Sequence, residues 1–175
     1  MDWKELLTDG YGRVLEAMEH TLQGLTKDEL NWQPRPDCNS IGWLIWHLTR
    51  VQDDHLASLR GEEQLWIKDG WYAKFNRPPD PKDIGFGHSP EQVAAFKSPV
   101  IETLLSYHRA VLERSKRYFL SLSNSDLDHE LDEPWYQPLP TVGVRLISVL
   151  ADSLQHAGQA AYVRGLLQGK GWQKY

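Results

Sequence analysis

Leu146-Ile147-Ser148-Val149-Leu150-Ala151-Asp152-Ser153-Leu154-Gln155-His156-Ala157 spaces its apolar side chains at steps of three and four, the period of a helix rather than a strand. Leu146, Val149, Leu150, Leu154, Ala157 and Ala161 share one arc, Thr141 suits an N-cap, and Gly169 suits a stop. The segment therefore reads as a long helix over residues 141–168. Asp152 and His156 stand one turn apart at the edge of the arc. That spacing lets one helix offer two ligands to a metal ion. It equally suits a surface ion pair between neighbouring turns.

Three more long helices follow from the same period. Residues 3–24 place Leu7, Tyr11, Val14, Leu15, Met18 and Leu22 on one stripe. Thr26 and Glu29 form a capping-box pattern for a short helix, which the prolines after Gln33 halt. Ser40 caps a second long helix over 40–60, and Gly61 ends it. Ser89-Pro90 opens another turn, and Ser98-Pro99 restarts it into a third long helix that ends near 122. No stretch alternates with a strand period.

The expected fold is all-α, a single domain over residues 1–175. The short first link suits antiparallel neighbours, whereas residues 61–88 are long enough to run back along the bundle. An up-down-down-up four-helix bundle follows, with its long connection between the second and third long helices.

The composition narrows the function classes. A net charge of −5 and a pI near 5.8 disfavour a nucleic-acid or anionic-membrane surface. The N-terminal residues lack a signal-peptide pattern, no run approaches membrane-spanning length, and a cytoplasmic location is expected. Cys38 is the only cysteine, which excludes an intrachain disulfide and a cysteine-built zinc site.

His47 in the second long helix, in Gly42-Trp43-Leu44-Ile45-Trp46-His47-Leu48, is a third candidate ligand beside Asp152 and His156. Two histidines and a carboxylate would leave an open position for substrate. A histidine at the margin of an apolar face is also commonly a hydrogen-bonded core residue. His55 lies about 12 Å along the helix from His47 and cannot share its ion. His108 reads as a core residue, while His20, His88 and His129 read as solvated. Asp54 reads as a partner of Arg50. Eight tryptophans are more than such a core needs, and Trp66, Trp71, Trp135 and Tyr136 fall in apparent loops as candidate substrate walls. Residues 61–88 are accordingly expected to cover the mouth of the site with Trp66, Trp71 or Tyr72, or else simply to cover the bundle.

The stretches Asn39–Asp54 and Leu150–Gln159 resemble the second- and fourth-helix signatures of the DinB-like superfamily, and the likeness extends over the whole chain. The sequence is especially similar to the mini-circle protein branch and to mycothiol-dependent isomerases and S-transferases. The resemblance implies a divalent ion, zinc or nickel, held by His47, Asp152 and His156. Asp152 stands where many members carry histidine, as in the mycothiol-dependent members. The resemblance further implies a metal-dependent transferase that uses a low-molecular-weight thiol such as mycothiol on a small electrophile, with no catalytic residue beyond the ligands. A metal-dependent hydrolase and a non-catalytic metal-binding stress protein remain alternatives. The partners expected are small molecules, not nucleic acid or membrane, and exposed aromatics with the family's habit are compatible with a homodimer.

Overall fold

Four long helices carry the chain: α1 (Trp3–Leu22), α3 (Ile41–Arg60), α7 (Ile101–Ser121) and α8 (Val142–Gln168). Between them lie short helices α2 (Lys27–Asn31), α4 (Leu65–Lys68), α5 (Trp71–Lys74) and α6 (Pro90–Ala95), and a 3-10 turn at Ser125–Asp128. The computed structural model describes residues 1–169 and 171–172. Among these no helix is long and apolar enough to cross a membrane.

Local chemistry sets the helix ends. Thr26 with Glu29 and Ser89 with Gln92 form reciprocal capping boxes, and Ser40 and Thr141 accept from Trp43 N–H and Val144 N–H. Gly61 stops α3 in the left-handed region, at φ 62°. The helix restarts just after Ser98-Pro99, as α7, with Val100 as its N-cap. Ser98 lies outside the helix and donates its amide to Asn31 Oδ1 (2.8 Å), and α7 begins at Ile101.

Cross-helix contacts give the directions. Tyr11 Oη donates to the Leu146 carbonyl, and Arg164 donates to the carbonyls of His20 and Thr21, so α1 and α8 run parallel. His47 meets His156 while His55 meets Arg145, so α3 and α8 are antiparallel. Thr49 with His108 and Gln52 with Ser115 make α3 and α7 parallel. Lys4 reaches Leu120 and Glu19 reaches Arg109, so α1 and α7 are antiparallel. The order is up-down-down-up, as expected. One detail differs: α8 and α7 each pack on both α1 and α3, which puts α1 and α3 at diagonal corners rather than side by side. Residues 23–40, with α2 docked on α3, are long enough to cross that diagonal.

Helix α3 is the enclosed member, and every residue from Ile41 to Asp53 is buried. The segment 61–100 covers the side that α7 and α8 leave open. Trp66 and Trp71 are not the solvent-facing walls expected from their loop setting, although Phe86 in the same segment is exposed. Trp66 and Trp71 are buried, and their rings pack on Tyr107 at 5.7 and 5.2 Å. They belong to the core because a connection this long needs apolar anchors of its own to lie flat on a bundle.

Arg50 binds that connection to α3. It is fully buried and donates to the carbonyls of Pro81 and Asp83, to Gln64 Oε1 and to Tyr107 Oη. Its ion partner is Asp53, at 3.6 Å, and not Asp54, whose carboxylate accepts from Gln64.

His108 occupies the core at the level of Thr49. The Thr49 hydroxyl gives its proton to the Ile45 carbonyl (2.9 Å), so His108 Nδ1–H must donate to Thr49 Oγ1 (3.0 Å). His108 Nε2 is then a buried lone pair without a partner. Burial pushes this imidazole down from 6.5 to about 3. The unfolded chain binds a proton here that the folded chain refuses, so this contribution to stability is complete above pH 6.5 and declines as pH falls toward 3. Between pH 7 and pH 4 the loss should be about 3 kcal/mol from this group alone. Urea denaturation of chelator-treated protein at the two pH values tests this, and His108→Leu should flatten that part of the dependence.

Candidate metal centre

The centre lies in the seam between α3 and α8. One ligand atom each from His47, Asp152 and His156 lies within 4.8 Å of the other two. Bonds of about 2.1 Å put ligand atoms up to about 4.2 Å apart around one ion, so a small inward rotation of the side chains would close the set. His47 is almost wholly buried, whereas Asp152 and His156 are half-buried, which leaves access from the solvent side.

Neighbouring groups fix the presentation of each ligand. His47 Nδ1–H donates to the Ile84 carbonyl (2.5 Å), which leaves Nε2 unprotonated. His156 Nδ1–H donates to Gln159 Oε1 (2.8 Å), which turns Nε2 toward Asp152 Oδ1 at 3.4 Å. The two imidazoles meet edge to face, with centroids 4.7 Å apart. Asp152 Oδ2 is buried and has no hydrogen-bond partner. Two imidazole nitrogens and an orphaned carboxylate oxygen form a donor set that suits a divalent cation.

The electrostatics favour the ligating form at His47 and Asp152, and the protonated form at His156. Burial pushes the His47 imidazole below its ordinary value, favouring the neutral ligand form. Burial would raise the Asp152 carboxyl, but the hydrogen bond and charge of His156, with His47 and His55, hold it below the usual range. Burial opposes protonation of His156 as well, yet its bonds to Asp152 and Gln159 raise it.

Residues 61–88 do reach the centre, though through backbone rather than Trp66, Trp71 or Tyr72. Ile84 supplies the carbonyl, and Gly85 lies flat on His47, Trp43 and Trp46. A Cβ at Gly85 would sit 2.9 Å from His47 Nδ1, and its φ of +89° also favours glycine. Asp83 holds this strap from beside it by pairing with Arg77 and His88. His88 is therefore not solvated: its Nε2–H donates to Asp83 Oδ1 (2.9 Å) while its Nδ1 accepts from Trp43 Nε1 (3.2 Å). Gly85→Ala should lift the Ile84 carbonyl from His47 and weaken divalent-metal affinity about 10–100-fold, the usual effect of losing a ligand's supporting hydrogen bond. A competition titration against a chromogenic chelator would measure it.

Trp135 and Tyr136 are exposed, 71% and 54%, on the loop before α8. That loop is tied by Glu133 to Arg145, two turns before Asp152. The expectation that residues 61–88 cover the site named its aromatics and not the residues that make the contact, Ile84 and Gly85. Gly85, Asp83 and His88 carry no periodic signal, and only the Pro and Gly punctuation of residues 76–90 marked the segment as unusual.

Similarity to known proteins agrees with this geometry. No curated protein matches the chain. Among solved structures, a conserved protein from Enterococcus faecalis is 32% identical, with a TM-score of 0.89 over 97% of this chain and 99% of that one. Residues 11–160 match the DinB superfamily, a span that takes in the strap and all three candidate ligands, and the chain belongs to that superfamily.

Proposed function

We propose that this protein is a metal-dependent transferase that joins a low-molecular-weight thiol, of the mycothiol kind, to a small electrophile. The observation that carries the reading is the convergence of His47, Asp152 and His156, with Asp152 Oδ2 left unpartnered. Three protein ligands in an open seam leave room for a further group, as working metal sites do. A divalent ion, zinc or nickel, would supply Lewis acidity there, which lowers the pKa of a thiol from its usual value of about 8.5.

The chain's own residues do the rest. The Ile84 carbonyl and Gln159 hold His47 and His156 in the tautomers that expose Nε2. Asp152 brings one negative charge, so the set keeps a net positive charge with a divalent ion and still favours an anionic sulfur. Buried His47 and the strap close the interior side, so the thiol and the electrophile enter from the side of the half-buried Asp152 and His156. In the transfer the thiol loses its proton, a carbon–sulfur bond forms, and the leaving group departs with its electron pair. Cys38 is not needed as the nucleophile.

The test is to incubate zinc- or nickel-loaded protein with an aryl chloride, with and without added thiol, and to assay thioether and chloride. Thioether formation that needs both thiol and metal supports the transferase. Substrate hydrolysis without thiol would make the protein a hydrolase, and no turnover with any thiol would leave a metal-binding stress protein.

A further inference from the structure

A cavity of about 460 Å³ opens where α3 and α7 end and α8 begins, a volume within the range of small-molecule sites. It is distinct from the candidate metal centre. His55 on its wall lies two turns beyond His47 on α3, about 12 Å along the axis. Leu59, Leu122 and Val142 line it with apolar surface. The loop before α8 adds Asp126, Asp132 and Glu133.

With its histidines neutral, the lining carries a formal charge of −2, three carboxylates against the one guanidinium of Arg145. Arg145 pairs with Glu133 and donates to His55 Nδ1, so both its terminal nitrogens are engaged and offer no free fork to an anion. The N-terminus of α8 faces the cavity too, but the His129 carbonyl takes the Val142 amide and Thr141 Oγ1 takes that of Val144. Asp126 and Asp132 are not neutralised in this way. The amide and hydroxyl of Ser123 hold the Asp126 carboxyl below its usual range, with His129 and Lys4 acting on it only through space. The Asp132 carboxylate has no partner among the described residues. These carboxylates do not gather on a point. Among the described residues only His47, Asp152 and His156 bring ligand atoms together as a metal ion needs. The wider spacing suits a larger cation.

Tyr118 supplies an independent observation. It is 9% exposed and lines the cavity, and its hydroxyl has no hydrogen-bond partner among the described residues. Buried tyrosine hydroxyls normally find one. This hydroxyl is not sealed in the core, as the unpartnered Trp46 Nε1 and Trp66 Nε1 are. After burial, the charge of Asp126 does most to raise the phenol, which puts the hydroxyl on the Asp126 side of the cavity. Arg60 already stands over the ring at 5.7 Å, and no tryptophan, phenylalanine or second tyrosine lines the cavity. That is not an aromatic cage for a quaternary ammonium, so the cation it fits is one that donates N–H.

We propose that this cavity binds a small organic amine, a primary or secondary ammonium on an apolar body. Asp126, Asp132 and the Tyr118 hydroxyl take its N–H groups, and Leu59, Leu122 and Val142 take its hydrocarbon. A primary ammonium has three donors and no acceptor, which matches an acceptor set that lacks donors of its own.

Calorimetric titration of the full chain with 2-phenylethylamine, up to about 10 mM to capture weak binding, tests the site. Its neutral isostere 2-phenylethanol and the anion 3-phenylpropionate are the controls. The amine should bind chelator-treated and zinc-loaded protein equally. Both controls should bind at least about 10-fold more weakly, because charge-assisted hydrogen bonds are the stronger kind. Tyr118→Phe keeps the ring and removes one acceptor, which should weaken the amine about 10-fold. Asp132→Asn, on the exposed loop, should weaken it about 5-fold, the scale of a partly exposed ion pair. Circular dichroism checks that both variants fold. No binding across that range, equal binding of 2-phenylethanol, or an affinity untouched by both substitutions would overturn the proposal. Binding seen only with zinc would put the amine on the metal centre and overturn it equally. Metal-free protein gives the readout without turnover, so it stands apart from the test of the transferase reading.

Discussion

Arg50→Ala should destabilise the fold by about 3–5 kcal/mol, the range for removing one partner from a buried charged network. A domain of this kind has about 5–15 kcal/mol in all, so the variant would be marginal at 37 °C. The guanidinium donates to four acceptors on three segments, lies 3.6 Å from Asp53, and stacks over Trp66 at 4.6 Å. Arg114, Tyr107 and the amides of Leu65 and Trp66 continue to serve Asp53. The cost therefore falls mainly on the half-buried Asp83 carbonyl, left without its donor, and on the Pro81 carbonyl, which keeps only Gln64 Nε2 (3.1 Å). Those carbonyls anchor the strap whose next residue, Ile84, orients His47. Metal affinity should fall together with the urea midpoint, although Arg50 touches no ligand. Arg50→Lys should recover little, because one ammonium cannot serve acceptors arranged around a planar fork. Unchanged metal affinity in an otherwise destabilised variant would detach the strap from the centre.

The sequence made the helices legible, and the reach of residues 61–88 to the site, but not the backbone contacts by which they reach it, for a physical reason. Helix α8 announces itself through the period of Leu146, Val149, Leu150 and Leu154 and through Thr141 and Gly169, each a local signal that folding preserves. The direction of the third long helix was legible too, because chain length limits where residues 61–88 can lead. The position of α1 relative to α3 was not, since a link of eighteen residues reaches a neighbouring or a diagonal corner equally well. Asp152 and His156 were readable as a pair from their spacing on one helix. His47 was readable only as a candidate at the margin of its helix's apolar face, and the resemblance strengthened it, because contact between residues 47 and 156 is tertiary. The buried state of Trp66 and Trp71 was unreadable for the same cause: an aromatic in a loop looks exposed until the surface beneath it is known. Asp53 was overlooked for Asp54. On a helix enclosed from all sides, the wheel no longer separates an inner from an outer face.

His156→Ala should remove stoichiometric divalent metal while leaving the bundle folded. The side chain is 18% exposed and projects from the seam, so its loss should leave a small hydrated gap and not an apolar cavity. The expected cost is about 1–2 kcal/mol for the metal-free protein. His47 and Asp152 would remain as the only ligands from the chain. Affinity should then fall by more than the roughly 100-fold that marks the upper end for losing a supporting hydrogen bond. Asp152→Asn gives the complementary result. It preserves volume but removes the negative charge and one acceptor oxygen, so metal should weaken without any packing change. It also removes the group that raises the His156 imidazole, so His156 should lose its proton at lower pH than in the parent, an effect visible by NMR titration of the metal-free proteins. Elemental analysis after exhaustive dialysis measures retention, and circular dichroism checks the fold. Full metal content in both variants would exclude this triad as the binding site and take the proposed chemistry with it.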